Sequence, residues 1–243
     1  MTSRFKTVPR PNLRKVHAQR ANGNERTTLC GSYQGRCSFE HDTCDAWQNE
    51  KLADDFDWVM KTGGTQSYGT GPDTDHTTRT TFGYYMFIET SRPAKQGDRA
   101  QLVSPVMKGN CKVRFWYHSL GNHVGSLIIY RRTSYLADGR TTRLNITGEQ
   151  GDYWIRAEVA PWEKPPADQA PFMVVVEGVV GDGYQGDIAI DDISLTSECV
   201  RASVVLPGQL TTPAPQHNCG DDRYTCGNDK CYDELQKCNF FDD

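Results

Sequence analysis

The sequence has no run of about 18 consecutive apolar residues, the length a helix needs to cross the hydrocarbon core of a membrane. Its first thirty residues hold no apolar stretch of the kind that forms the centre of a secretion signal. No window of 11 residues keeps an apolar period of 3.6, so amphipathic helices are not expected. The motifs of several common chemistries are missing too. There is no G-x-x-x-x-G-K-[ST], no H-E-x-x-H, no G-x-S-x-G and no EF-hand loop. The pattern points to no catalytic chemistry.

Cysteine, by contrast, is plentiful: positions 30, 37, 44, 111, 199, 219, 226, 231 and 238. Four of the nine crowd into residues 219–238, a density that suits an oxidising compartment and disulfide bonds. An odd count combined with no export signal leads to the expectation of a piece of a longer secreted or membrane-anchored protein. Charge is unevenly placed. Residues 1–29 carry seven basic side chains against Glu25, a net of +6, which leaves −10 for the rest of a chain whose total is −4. The acidic remainder argues against nucleic acid as a partner. The basic arm has one aromatic residue, Phe5, and reads as a disordered leader.

The strongest strand signals lie in residues 172–199. Phe172 to Val176 is apolar at every position, as in a central strand buried on both faces. Gly181, Gly183 and Gly186 follow and suggest a tight hairpin turn. They also spell G-x-G-x-x-G, but a dinucleotide fingerprint must open a helix, and here a β-branched run follows instead. Ile188 and Ile190 share one strand phase, whereas Ile193 and Leu195 lie on the other. Either a bulge sits at Asp191-Asp192, or one of those carboxylates is turned inward and needs a partner.

Further strands are expected at Tyr84 to Glu89, Ala100 to Ser104, Ser126 to Tyr130 and Tyr153 to Val159. Another is Cys111 to His118, where Val113, Phe115 and Tyr117 share one face. Residues 61–83, rich in Gly and Thr, read as a long loop. The fold class is all-β: a jelly-roll β-sandwich of the concanavalin-like kind, with a small disulfide-rich, loop-rich C-terminal module. The chain divides into a leader (1–29), a linker (30–36), the sandwich (37–199), a Pro/Thr linker (200–218) and the small module (219–243).

Residues 37–199 resemble a MAM domain along their whole length. The resemblance is carried by Cys37-Ser-Phe-Glu40, Asp54-Asp-Phe-Asp-Trp58, Gly71-Pro-Asp73, Ala100-Gln-Leu-Val-Ser-Pro105, Val113-Arg-Phe-Trp-Tyr-His118, Gly125-Ser-Leu127, Glu177-Gly-Val179 and Gly186-Asp-Ile-Ala-Ile-Asp-Asp-Ile193. It implies a non-catalytic adhesion and binding module, with Cys37 paired to Cys44 and Cys111 to Cys199. Residues 219–243 resemble the first two-thirds of an LDL-receptor class A repeat. That likeness implies a Cys219–Cys231 bridge and leaves Cys30, Cys226 and Cys238 without partners. It also implies a calcium site using the carbonyls of Gln236 and Phe241 and the side chains of Asn239 and Asp243, too few oxygens for a cation that takes six or more.

Other readings compete at single positions. Glu40 and Asp42 share a strand face, as the acid and nucleophile of a secreted jelly-roll carbohydrate-active hydrolase would. Glu40, Asp42, Asp55, Asp187 and Asp191 could instead gather round one structural cation. His118 and His123 flank a turn without a third ligand at zinc spacing, and read as surface histidines. Asn145-Ile-Thr147 is the one glycosylation sequon and reads as a glycosylated loop. Together these features imply an extracellular or cell-surface recognition module. Its partners would be proteins or glycans, homophilic association included, and its contacts would come from loops 61–83 and 131–143.

Overall fold

The computed structural model describes residues 36–40, 44, 46–136, 139–159 and 170–209, with the backbone of 223–225 and 231–233. All of these belong to one of two compact bodies of the chain, residues 33–243. The described residues contain strands and no helix, hence none long and apolar enough to cross a membrane.

The strands are β1 (Gln48–Asn49), β2 (Val59–Thr62), β3 (Tyr84–Ile88), β4 (Arg99–Val103), β5 (Met107–Lys108), β6 (Val113–Ser119) and β7 (Ser126–Arg132). They continue with β8 (Arg140–Thr147), β9 (Gly151–Val159), β10 (Met173–Val179), β11 (Ile188–Leu195), β12 (Val200–Arg201), β13 (Arg223–Thr225) and β14 (Cys231–Asp233). Two five-stranded sheets result, in the orders β1-β4-β10-β7-β8 and β2-β3-β11-β6-β9, and every strand pair in them is antiparallel. This is the all-β sandwich expected from the alternation of the sequence.

Residues 172–199 do supply two core strands, but not a hairpin. β10 lies between β4 and β7 in one sheet, and β11 between β3 and β6 in the other. With both neighbours taken, neither strand can pair with the other, so residues 180–187 cross between sheets. The glycines there make room for a neighbouring backbone: a Cβ on Gly181 or Gly186 would overlap the His123 carbonyl.

One continuous core fills the space between the sheets, built from residues such as Ile88, Leu102, Phe115, Ile129, Val176 and Ile190. Trp58 enters it and donates from Nε1 to the Ala100 carbonyl at 3.0 Å. Gly178 of β10 faces Trp58 and Ile88 at a distance that leaves no room for a side chain. β10 is buried on both faces because Val174 and Val176 join the main core, whereas Val175 packs with Val103, Tyr130, Met173 and Leu206.

Leu206 comes from the stretch read as an interdomain linker. Residues 200–209 lie along the sandwich instead: the Ala202 N–H donates to the Val106 carbonyl and the Tyr135 N–H to that of Pro207. The same sheet face carries a buried polar network. Arg132 donates to Glu50, Gln101 and Tyr130, and Arg140 donates to Glu177. The buried members, Glu50, Gln101, Tyr130, Arg132 and Glu177, therefore have partners, as burial requires, and Arg140 joins them from an exposed position.

Cys37 is bonded to Cys44 and Cys111 to Cys199, with Cα atoms 5.7 and 4.8 Å apart. The expected 131–143 loop is shorter than its bounds, since β7 runs to Arg132 and β8 starts at Arg140. Asn145 lies in β8, not in a loop. It is exposed, and its Oδ1 accepts a hydrogen bond from the Thr147 hydroxyl at 3.4 Å. Cys219, Gln236, Asn239, Phe241 and Asp243 lie outside the described residues, as does Asp42.

Candidate functional site: a loop anchored by buried carboxylates

Residues 63–83 join β2 to β3 without regular structure, and three fully buried carboxylates help to hold them. Loops of this length with no elements of their own are uncommon and usually serve function. Asp75 sits inside the loop. Its carboxylate accepts from the Thr78 N–H, the Thr78 hydroxyl and the Thr80 N–H. A Cβ at residue 83 would collide with it, which accounts for Gly83 at the start of β3. Burial alone would raise the Asp75 pKa, but these donors outweigh it and hold the carboxyl below the usual range.

Asp191 reaches the loop from β11. Its Oδ2 accepts from the backbone N–H of His76 at 2.9 Å and of Thr77 at 3.1 Å. Its Oδ1 accepts from the Asp192 N–H at 2.7 Å. Burial, with the adjacent Asp192 charge, pushes Asp191 up to about 7. The parity slip foreseen in the sequence is a bulge between Asp191 and Ser194, with Asp192 at φ 48°. Asp191 is buried as well, but on the face opposite Ile190, where the loop covers it.

Asp187 anchors the loop's first half. Its N–H donates to the Thr70 hydroxyl at 2.8 Å, and its carboxylate accepts from the Thr90 N–H at 3.0 Å. Burial raises its pKa despite that donor. Side chains outside the loop fix it elsewhere. Tyr85 donates to the Gly63 carbonyl, Trp154 Nε1 to that of Thr74 at 2.8 Å, and Gln185 to that of Tyr68 at 3.0 Å. Tyr68 and Phe82, 94% and 84% exposed, stand on this fixed frame.

His76 completes the anchor, stacked on Trp116 with its Nδ1 2.6 Å from Asp192 Oδ2. Among the described residues, His76, Asp191 and Asp192 are the one group of three such side chains close enough to share a cation. Both Asp191 oxygens already accept backbone N–H groups, so the same side chains tie β11 to the loop.

The acids expected to surround one cation are dispersed. Asp55 accepts from the Arg99 N–H, Asp187 from Thr90, and Asp191 from residues 76 and 77. Glu40 accepts from the Tyr84 N–H and meets Asp75. The histidine reading also changes. His118 is only 2% exposed, with Nε2 3.2 Å from Asp152, because residues 72–79 and Trp154 cover it. His123 is half-buried beside Tyr184.

Asp75 and His76 were not singled out in the sequence. The signal available was Asp75-His76, charged residues placed inside a loop of small ones.

Comparison with known proteins agrees with this architecture. Residues 37–200 match the family model described as MAM domain, meprin/A5/mu. The chain is 41% identical over 186 residues to MAM domain-containing glycosylphosphatidylinositol anchor protein 1 of Homo sapiens, covering 71% of this chain and 19% of that protein. It is 33% identical over 169 residues to Neuropilin-1a of Danio rerio, covering 67% and 17%. It thus spans about a fifth of the length of the curated relatives it matches. Among solved structures, the K2 cleaved adhesin domain of Lys-gingipain aligns at 15% identity and a TM-score of 0.46, covering 66% of this chain and 96% of that one. With its family model matched across the sandwich, the chain belongs to the MAM domain family.

Proposed function

We propose that this chain acts outside the cell or at its surface as a non-catalytic recognition module, binding protein or glycan partners through the 63–83 loop. The observation that carries the reading is the exposure of Tyr68 and Phe82 on a loop pinned by Asp75, Asp187 and Asp191. Rigid exposed aromatic side chains give contact area at small entropic cost. The relatives' names support a surface setting, one of them naming a glycosylphosphatidylinositol anchor. The hydrolase reading gains no support from Glu40, which is engaged by Tyr84 N–H and Asp75.

Two further features belong to this reading. The exposure of Asn145 and its bond to Thr147 favour N-glycosylation there. The spacing of Cys219, Cys226, Cys231 and Cys238 favours a likeness to the LDL-receptor class A repeat, and that likeness implies a Cys219–Cys231 bridge.

The test is adhesion of beads coated with the full chain, to each other and to cells. Tyr68→Ala with Phe82→Ala should weaken binding at least about thirtyfold, since even one aromatic hot spot is worth about 2 kcal/mol or more. Prior protease or glycosidase treatment of the cells separates protein from glycan partners. Unchanged adhesion by the double variant would contradict the proposal.

A further inference from the structure

A hollow of about 380 Å³ lies between residues 72–79 and the ends of β6 and β9, on the face of the sheet that the loop covers. Its walls combine aromatic surface from Trp116, Tyr153 and Trp154 with polar groups from Asp73, Arg79 and Asp152. A sugar ring has the matching division, an apolar C–H face and an edge of hydroxyls that both donate and accept. Carboxylates accept from hydroxyls, and a guanidinium donates to them.

We propose that this hollow binds a neutral hexose at the end of a glycan chain, with the ring against Tyr153 and its hydroxyls on Asp73, Arg79 and Asp152.

Three observations support the assignment. First, the parts are fixed before any ligand arrives. Trp154 Nε1 is held by the Thr74 carbonyl, and Trp116 is held by the stacked His76. Preorganised walls lower the ordering cost of binding. Second, His118 positions Asp152. Burial depresses the His118 pKa against the pull of Asp152, so the ring is neutral near pH 7. Bonded through Nε2, it steers the 70% exposed Asp152 side chain and leaves the second carboxylate oxygen for a ligand. Third, charge selects among sugars. Asp73, Asp75 and Asp152 face one cation, Arg79, so a sialylated or sulfated ring would be repelled.

Neither Tyr68 nor Phe82 lines this hollow, so the two proposals fail separately. The test titrates the full chain with the methyl glycosides of galactose, glucose and mannose, followed by tryptophan fluorescence and by NMR. Saturable binding of at least one, with Kd on the order of 1 mM, is expected for a single ring. Tyr153→Ala and Asp152→Asn, both at exposed positions, should each weaken it about tenfold. Tyr68→Ala should leave it unchanged, and sialyllactose should bind more weakly than lactose. The proposal is overturned by absence of saturable change with all three glycosides up to about 100 mM, far above that expected Kd. Equal binding by the Tyr153 and Asp152 variants would overturn it as well.

Discussion

His76 lies flat on Trp116, with ring centroids 3.8 Å apart, while its backbone N–H is held by Asp191 and its Nδ1 by Asp192. Successive residues of a regular strand point to opposite faces, so adjacent aspartates could not both reach one histidine. The bulge after Asp191 and the positive φ of Asp192 allow it. The break in strand phase visible in the sequence is thus the device that ties β11 to the loop.

Asp191→Ala should release the loop. It leaves the N–H groups of His76 and Thr77 without their acceptor, each an expense of about 1–3 kcal/mol if they stay buried. Chemical unfolding should show a loss within that range or above it, and NMR should show new mobility confined to residues 63–83. A variant as stable and as rigid as the parent would contradict the anchoring role.

Asp191 also gives stability a definite pH dependence. Its folded pKa of about 7 lies above the ordinary aspartate value of 3.8, so the folded state binds the proton more tightly. Its contribution is fully present below the unfolded pKa and is lost as pH rises through the folded one. Asp54, raised to about 6 by burial and by the charges of Glu50, Asp57 and Asp55, has the same sign. Between pH 5 and pH 7.5 the melting temperature of Asp191→Asn should therefore fall less than that of the parent. Parallel curves would show that Asp191 does not titrate in this window.

Gly178→Val tests the seam between the sheets. The new side chain would meet Trp58 and Ile88. Overpacking of this kind typically destabilises by about 1–3 kcal/mol. Urea titration measures it, and an unchanged midpoint would mean that the core yields there more readily than the packing suggests.

Replacing Cys111 and Cys199 together by serine removes a crosslink spanning 88 residues. The chain-entropy relation puts the loss at about 4.6 kcal/mol. A much smaller loss on urea unfolding would point to residual structure in the unfolded chain.

Much of the sandwich was legible because strand periodicity reports faces. Val113, Phe115 and Tyr117 of β6 lie in the core as their alternation requires, and the unbroken apolar run of β10 is buried on both sides. Periodicity does not report neighbours, so β10 and β11 read as a hairpin although they belong to different sheets. β8 escaped notice because it is an edge strand, with only Leu144 and Ile146 packed against the core. The anchors were hidden for another reason. Asp75 and His76 acquire meaning only when β11 and Trp116, far away in sequence, are folded against them.

Amide hydrogen exchange of the full chain at residues 76–80 tests the anchored loop most directly. The N–H groups of His76, Thr77, Thr78 and Thr80 are bonded to Asp191 or Asp75, whereas neighbouring loop amides such as that of Arg79 carry no such bond to those two carboxylates. The four should exchange at least about a hundredfold more slowly than an unstructured chain, as amides do when a local opening costs a few kcal/mol. Exchange of all four at the unstructured rate would contradict a fixed recognition loop.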